Sequence, residues 1–217
     1  MDFRFLHAAD IHLDSPLNGL SAYDGVPVET VRTATRTALD NLVAYAIAEK
    51  VAFVVIAGDL YDGTWEAFST GLYFCAAMGR LGQAGIDVFL VYGNHDAESH
   101  LTRQLPRPAN LKVFRADHPE TFIHEPTGAT LHGQSYKTRD PGGDLSAGYP
   151  AVRPGSFNVG VLHTALNGDR GHAPYAPCHP DQLAAIRHVQ TQQPLDGQAE
   201  GVLLVHRRDV VQPVQIG

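Results

Sequence analysis

Apolar residues along the chain fall into short runs that alternate with longer segments of helical spacing. Phe3–Ala9, Val51–Ala57 and Ile86–Val91 read as buried strands, and Val51–Ala57 is too apolar to have a wet face. Between the first two, Val31, Ala34, Ala38, Leu42 and Ala46 recur at three and four, with Thr35, Leu39, Val43 and Ile47 alongside. That spacing predicts an amphipathic helix over Val28–Lys50. A second stripe, Trp65, Phe68, Leu72, Cys75, Ala76 and Gly79, predicts a helix over Thr64–Ala84 that ends at Gly85. Strand alternating with helix argues for a layered α/β domain with a largely parallel sheet. After Asp96 the pattern changes to short β-rich pieces at Leu111–Phe114, Thr121–His124, Ala129–Gly133 and Phe157–Leu162. Loops rich in Gly, Pro and Asp separate them, which predicts a second sheet, antiparallel or mixed, facing the first. The final segment, Asp181–Gly217, is weakly patterned apart from a strand-like Gly201–Val205.

A polar cluster sits where several of these runs end. Asp10-Ile11-His12 follows the first, Gly58-Asp59 the second and Gly93-Asn94-His95-Asp96 the third, while His163 follows Phe157–Leu162. Each alone has a plain explanation: a surface loop for Asp10 and His12, a turn or helix cap for Asp59, an edge histidine for His163. Together, four strand ends delivering Asp, His, Asn and His to one edge offer the oxygen and nitrogen donors that hold a pair of divalent cations. Paired metals of this kind cleave phosphate esters. His95 suits proton transfer near neutral pH, and Asp96 beside it is expected to orient and charge the ring.

Composition narrows the setting. The chain has 217 residues, 44% hydrophobic and 18% charged, an ordinary globular balance long enough for one substantial core. Met1–Asp10 shows no secretory pattern, and no apolar stretch approaches the ~20 residues that span a bilayer. Cys75 and Cys178 form no metal-type pair, so a reduced, cytoplasmic setting is expected. The net charge of −7 argues mildly against tight DNA affinity. Asp10, Asp14, Asp59, Asp62 and Asp96 lie in or beside the clusters, however, and bound cations would neutralise part of that charge.

The order Asp-x-His, Gly-Asp, Gly-Asn-His-Asp, His resembles the calcineurin-like metallophosphoesterase superfamily. The strings His7–Pro16, Gly58–Gly63, Gly93–Ser99, His132–Tyr136, Val161–Ala165 and Tyr175–Cys178 are similar, more narrowly, to its bacterial DNA-repair exonuclease branch. The resemblance implies a four-layer fold, two facing mixed sheets flanked by helices, with a dinuclear site at one sheet edge. It implies Asp10, His12 and Asp59 on one metal, and Asp59, Asn94 and His163 on the other, with Asp59 as the bridge. It further implies attack by water on phosphorus while His95 stabilises or protonates the leaving oxygen. Mn²⁺ is the usual ion, with Fe, Zn or Mg as alternatives. A DNA or nucleotide substrate, an ATPase partner and a homodimer are implied too, and no membrane.

Two departures stand out. The better-known double-strand-break nucleases carry His where this chain has Asp62. The resemblance covers residues 1–183 as the domain and leaves 184–217 as an atypical tail, in which the family's closing Gly-His-x-His, one ligand to each metal, has no clear counterpart. His188 with Gln190 is one candidate for it, and His206 with Leu204 another; the third reading, which we favour, is that the motif is absent. The expectation is therefore a metal-dependent phosphodiesterase or nuclease-like hydrolase with an incomplete site and reduced activity. The alternatives are a non-catalytic binding protein of the same fold, and an esterase for small phosphoesters or nucleotides.

Overall fold

The computed structural model describes residues 2–15, 28–62, 68–97, 107–166, 176–185 and 201–206. Its first sheet has the order β1 (Phe5–Ala8), β2 (Phe53–Ala57), β3 (Asp87–Val91) and β4 (Leu111–Val113), with every pairing parallel. Its second has the order β5 (Glu120–His124), β6 (Ala129–Gly133), β7 (Asn158–His163) and β8 (Gly201–His206). There β6 and β7 are parallel, while β5 and β8 run antiparallel to their neighbours.

The pleat sorts the apolar runs into layers. Val54, Ile56, Val88 and Leu90 face α1 (Val28–Ala48) and α2 (Phe68–Gln83). Phe53, Val55, Ala57, Phe89 and Val91 point the other way and meet Leu131, Val159 and Val161 of the second sheet. Both faces of β2 are thus dry, as its continuous apolar run requires. On the far side of the second sheet, Leu162 packs with Tyr149, Cys178 and Leu183; Leu183 belongs to a short helix (Pro180–Ala185), and Leu145 of a 3₁₀ turn (Leu145–Gly148) lies against them. The four-layer expectation is met: helices, parallel sheet, mixed sheet, outer cover.

Two readings need correction. Leu111–Phe114 was expected in the second sheet, but β4 extends the first, with Val88 opposite Leu111. The Asn110 side-chain amide donates to the carbonyls of Met78 and Ile86, each at 3.0 Å, and so anchors the strand beside β3. The second helix is also turned relative to the expected stripe. Phe68 and Leu72 are 51% and 46% exposed, whereas Thr70, Gly71, Phe74, Ala77, Met78 and Leu81 are buried. Thr70 is tolerated inside because its hydroxyl donates to Asp14 Oδ2 at 2.6 Å. Trp65 of that stripe lies outside the described residues. On α1 the buried line is Leu39, Val43 and Ala46.

Candidate metal centre

Because β1, β2 and β3 are parallel, their carboxyl ends open on one edge, and their loops continue side by side. The amide of Asp10 donates to the Gly58 carbonyl at 3.1 Å, that of His12 to Asp59 at 3.0 Å and that of Leu13 to Leu60 at 2.9 Å. Asp10, His12, Asp14 and Asp59 all have left-handed backbone, with φ of 54°, 44°, 57° and 48°. Asp and His adopt that region more readily than most residues, yet each instance costs about 1–3 kcal/mol and persists only where the surroundings enforce it. Two glycines give the loops room. A Cβ on Gly93 would lie 2.2 Å from Asp59 Oδ1 and 2.8 Å from its backbone nitrogen; one on Gly58, at φ +89°, would lie 2.3 Å from His163 Nδ1.

Asp10, Asp59 and His163 each bring a donor atom within 4.8 Å of the others. His163 Nδ1 sits 3.0 Å from the Ala57 carbonyl, which only accepts, so Nδ1 carries the hydrogen and Nε2 faces the cluster. Two oxygens converge on Nε2: Asn94 Oδ1 at 2.9 Å and Asp59 Oδ1 at 3.5 Å. That convergence suits positive charge in the gap, from a second imidazole proton or from a cation. Burial works against a charged His163, but its hydrogen bond and proximity to Asp59 outweigh it and raise the ring above the ordinary histidine range. Asp59 is fully buried, and burial alone would raise its carboxyl. His163 first, then His95, overturn this and hold it below the usual carboxylate range. Its Oδ2 has no hydrogen bond among the described residues and lies 4.0 Å from His95 Nε2. A buried carboxylate with one open oxygen, beside an imidazole whose other nitrogen is already fixed, is the donor set a bridged cation pair takes. The residues fit that group.

His12, Asp62 and His95 form a second group within 4.8 Å. The His12 and His95 rings stand nearly perpendicular at 5.4 Å, and His95 Nδ1 is 2.9 Å from Asp62 Oδ1. Asp62 Oδ2 accepts from Ser15 Oγ at 2.5 Å. The carboxylate that meets the His95 ring is therefore Asp62 and not Asp96; sequence reasoning named Asp62 among the acids beside the clusters and as a departure, without linking it to His95. The one signal was its position, three residues past Asp59. Asp96 is instead buried behind the loops, accepting from the amides of Gly93 at 2.9 Å, Leu60 at 3.1 Å and Tyr61 at 2.8 Å. It braces the loop after β2 against the loop after β3. Burial and the nearby Asp59 push it up to about 7 despite the three amides.

Of the candidates for the closing histidines, His188 lies outside the described residues. His206 is excluded by register. It pairs with Asn158, while Gly201 pairs with His163. Five residues at ~3.4 Å each put its backbone about 17 Å from the site edge.

A family model described as calcineurin-like phosphoesterase matches residues 3–176. The chain is 31% identical over 212 residues to an uncharacterized metallophosphoesterase, YhaO, of Bacillus subtilis (strain 168), covering 93% of this chain and 52% of that protein. It thus spans about half the length of that curated relative. Among solved structures, a dimetal phosphatase from Danio rerio is similar at a TM-score of 0.36 and 20% identity, over 61% of this chain and 44% of that one. Among the described residues no helix is long and apolar enough to cross a membrane.

Proposed function

The chain belongs to the calcineurin-like phosphoesterase family, and from that premise we propose that it hydrolyses phosphodiesters with two divalent cations, Mn²⁺ foremost. Asp10, His12 and Asp59 would hold one cation, and Asp59, Asn94 and His163 the other. Such a pair would supply Lewis acidity at the phosphoryl oxygens and would lower the pKa of a water enough to make its deprotonated form available at neutral pH. The protein's own residues do the rest. The Ala57 carbonyl fixes the His163 tautomer, and Asp96 holds two ligand loops in register. Asp62 at Nδ1 turns His95 Nε2 towards Asp59, where it can pass a proton to the leaving oxygen.

The observation that carries this reading is the open Oδ2 of fully buried Asp59, set between His163 and His95. The strings shared with the DNA-repair exonuclease branch support DNA or a nucleotide as the substrate class. Purified protein with excess Mn²⁺ should bind close to two ions and turn over bis(p-nitrophenyl) phosphate above an Asp59→Asn control. It should act more slowly on the monoester, and single- and double-stranded DNA then test the branch. A stoichiometry near zero, with no turnover above the control, defeats the enzyme reading in favour of a non-catalytic domain.

A further inference from the structure

We propose that Arg36 and Thr70, acting through Asp14, are positioning residues that strap the His12 loop to both helices and so set the affinity of the cation site. The loop of residues 10–15 leaves β1 with three residues in left-handed backbone. Backbone bonds from Asp10, His12 and Leu13 hold one side of it to the β2 loop. The other side is held at Asp14, only 7% exposed and two positions beyond His12. Its carboxylate accepts from Arg36 Nε at 2.8 Å and Arg36 Nη2 at 2.5 Å, and from Thr70 Oγ1 at 2.6 Å. Its amide donates to Thr35 Oγ1 at 3.1 Å. Four contacts from α1 and α2 thus converge on one loop residue. The next residue, Ser15, reaches Asp62, which in turn meets His95.

Arg36 is aimed rather than merely present. Its guanidinium lies 4.6 Å over the Tyr73 ring, and the Tyr73 hydroxyl is fixed by Asp40 Oδ2 at 2.5 Å. The planar fork suits a two-toothed grip on a carboxylate in a way that a lysine ammonium does not. A pair serving only to dock the helices would need no contact with a strained ligand loop. Groups that orient metal ligands from behind typically govern 10–100-fold in metal affinity.

The inference rests on the dinuclear reading, and Mn²⁺ titration separates the two. Binding is read by loss of the free-ion electron paramagnetic resonance signal, with circular dichroism and Tm on the metal-free protein. Arg36→Met should weaken binding about 10–100-fold. Arg36→Lys should fall between it and wild type, and Thr70→Val should weaken binding several-fold. Raising Mn²⁺ should restore most of kcat in Arg36→Met. Arg80→Met, which cuts the surface pair with Asp40 at the outer end of the network, should bind within twofold of wild type. If folded Arg36→Met and Thr70→Val both bind within twofold of wild type, the strap is wrong and the dinuclear reading stands. If Arg36→Met fails to fold, Thr70→Val alone decides on the same criterion. If wild type binds no Mn²⁺, both readings fall.

Discussion

The two sheets contribute very unequally to the candidate site. The first is parallel throughout its described strands, so β1, β2 and β3 all end at one edge and deliver Asp10, His12, Asp59, Asp62, Asn94 and His95 there. In the second, β7 ends at that edge with His163. Its parallel neighbour β6 leads into Tyr136, whose ring stands 5.5 Å from that of His163. The antiparallel β8 brings its first residue, Gly201, to the same edge and sends His206 away. Strand direction, more than residue content, decides which sheet arms the site. On that strand position 206 lies at the end remote from the site edge, however well the local sequence reads.

Breaking the parallel-sheet contribution at its centre should have the largest effect. Asp59→Asn removes the proposed bridge. Each cation supplies several kcal/mol of charge stabilisation, so kcat/KM for an activated diester should drop on the order of 10⁴-fold, with Mn²⁺ stoichiometry falling in parallel. His95→Asn should come next. Turnover should fall on the order of 10²-fold or more while Mn²⁺ affinity is kept, and Asp62→Asn should show a smaller loss of the same kind. The glycines separate metal-site packing from sheet packing. Gly93→Ala pushes into Asp59, whereas Gly133→Ala in β6 pushes into the Phe114 ring, 2.8 Å from the added carbon. Both should lower stability by about 1–3 kcal/mol in denaturant titrations, but only Gly93→Ala should also weaken Mn²⁺ binding. The smallest effect should be that of His206→Ala, with binding and turnover within twofold of wild type. A larger loss would overturn the register argument.

Much of this was legible from residue order because parallel strands make it so. A buried strand reads as an apolar run, and the polar residues just past it must emerge at the common edge. What the pattern could not give was direction within a loop or around a helix. Phe68, Leu72, Phe74, Ala76, Ala77, Met78 and Leu81 leave α2 apolar on most of its circumference. Its buried face takes Phe74, Ala77, Met78 and Leu81 inside together with Thr70, whose bond to Asp14 is a tertiary contact between residues 56 positions apart. Asp62 was hidden for a similar reason. The left-handed turn at Asp59 redirects the chain so that a residue three places on meets the His95 ring, while adjacent Asp96 folds behind. Leu111–Phe114 carried no mark of its sheet, since a short apolar run suits an edge of either.

The left-handed residues at 10, 12, 14 and 59 also bear on the thermodynamics of ion uptake. Fixing a residue's backbone costs roughly 1–2 kcal/mol in conformational entropy, and here contacts within the protein, from Gly58, Asp59 and Leu60 on one side and Arg36 and Thr70 on the other, help to meet that cost. A cation arriving at loops held by those contacts does not impose it again. Calorimetry on the native chain should therefore show Mn²⁺ uptake with little heat-capacity change and no large ordering penalty, in contrast to sites that fold around their metal.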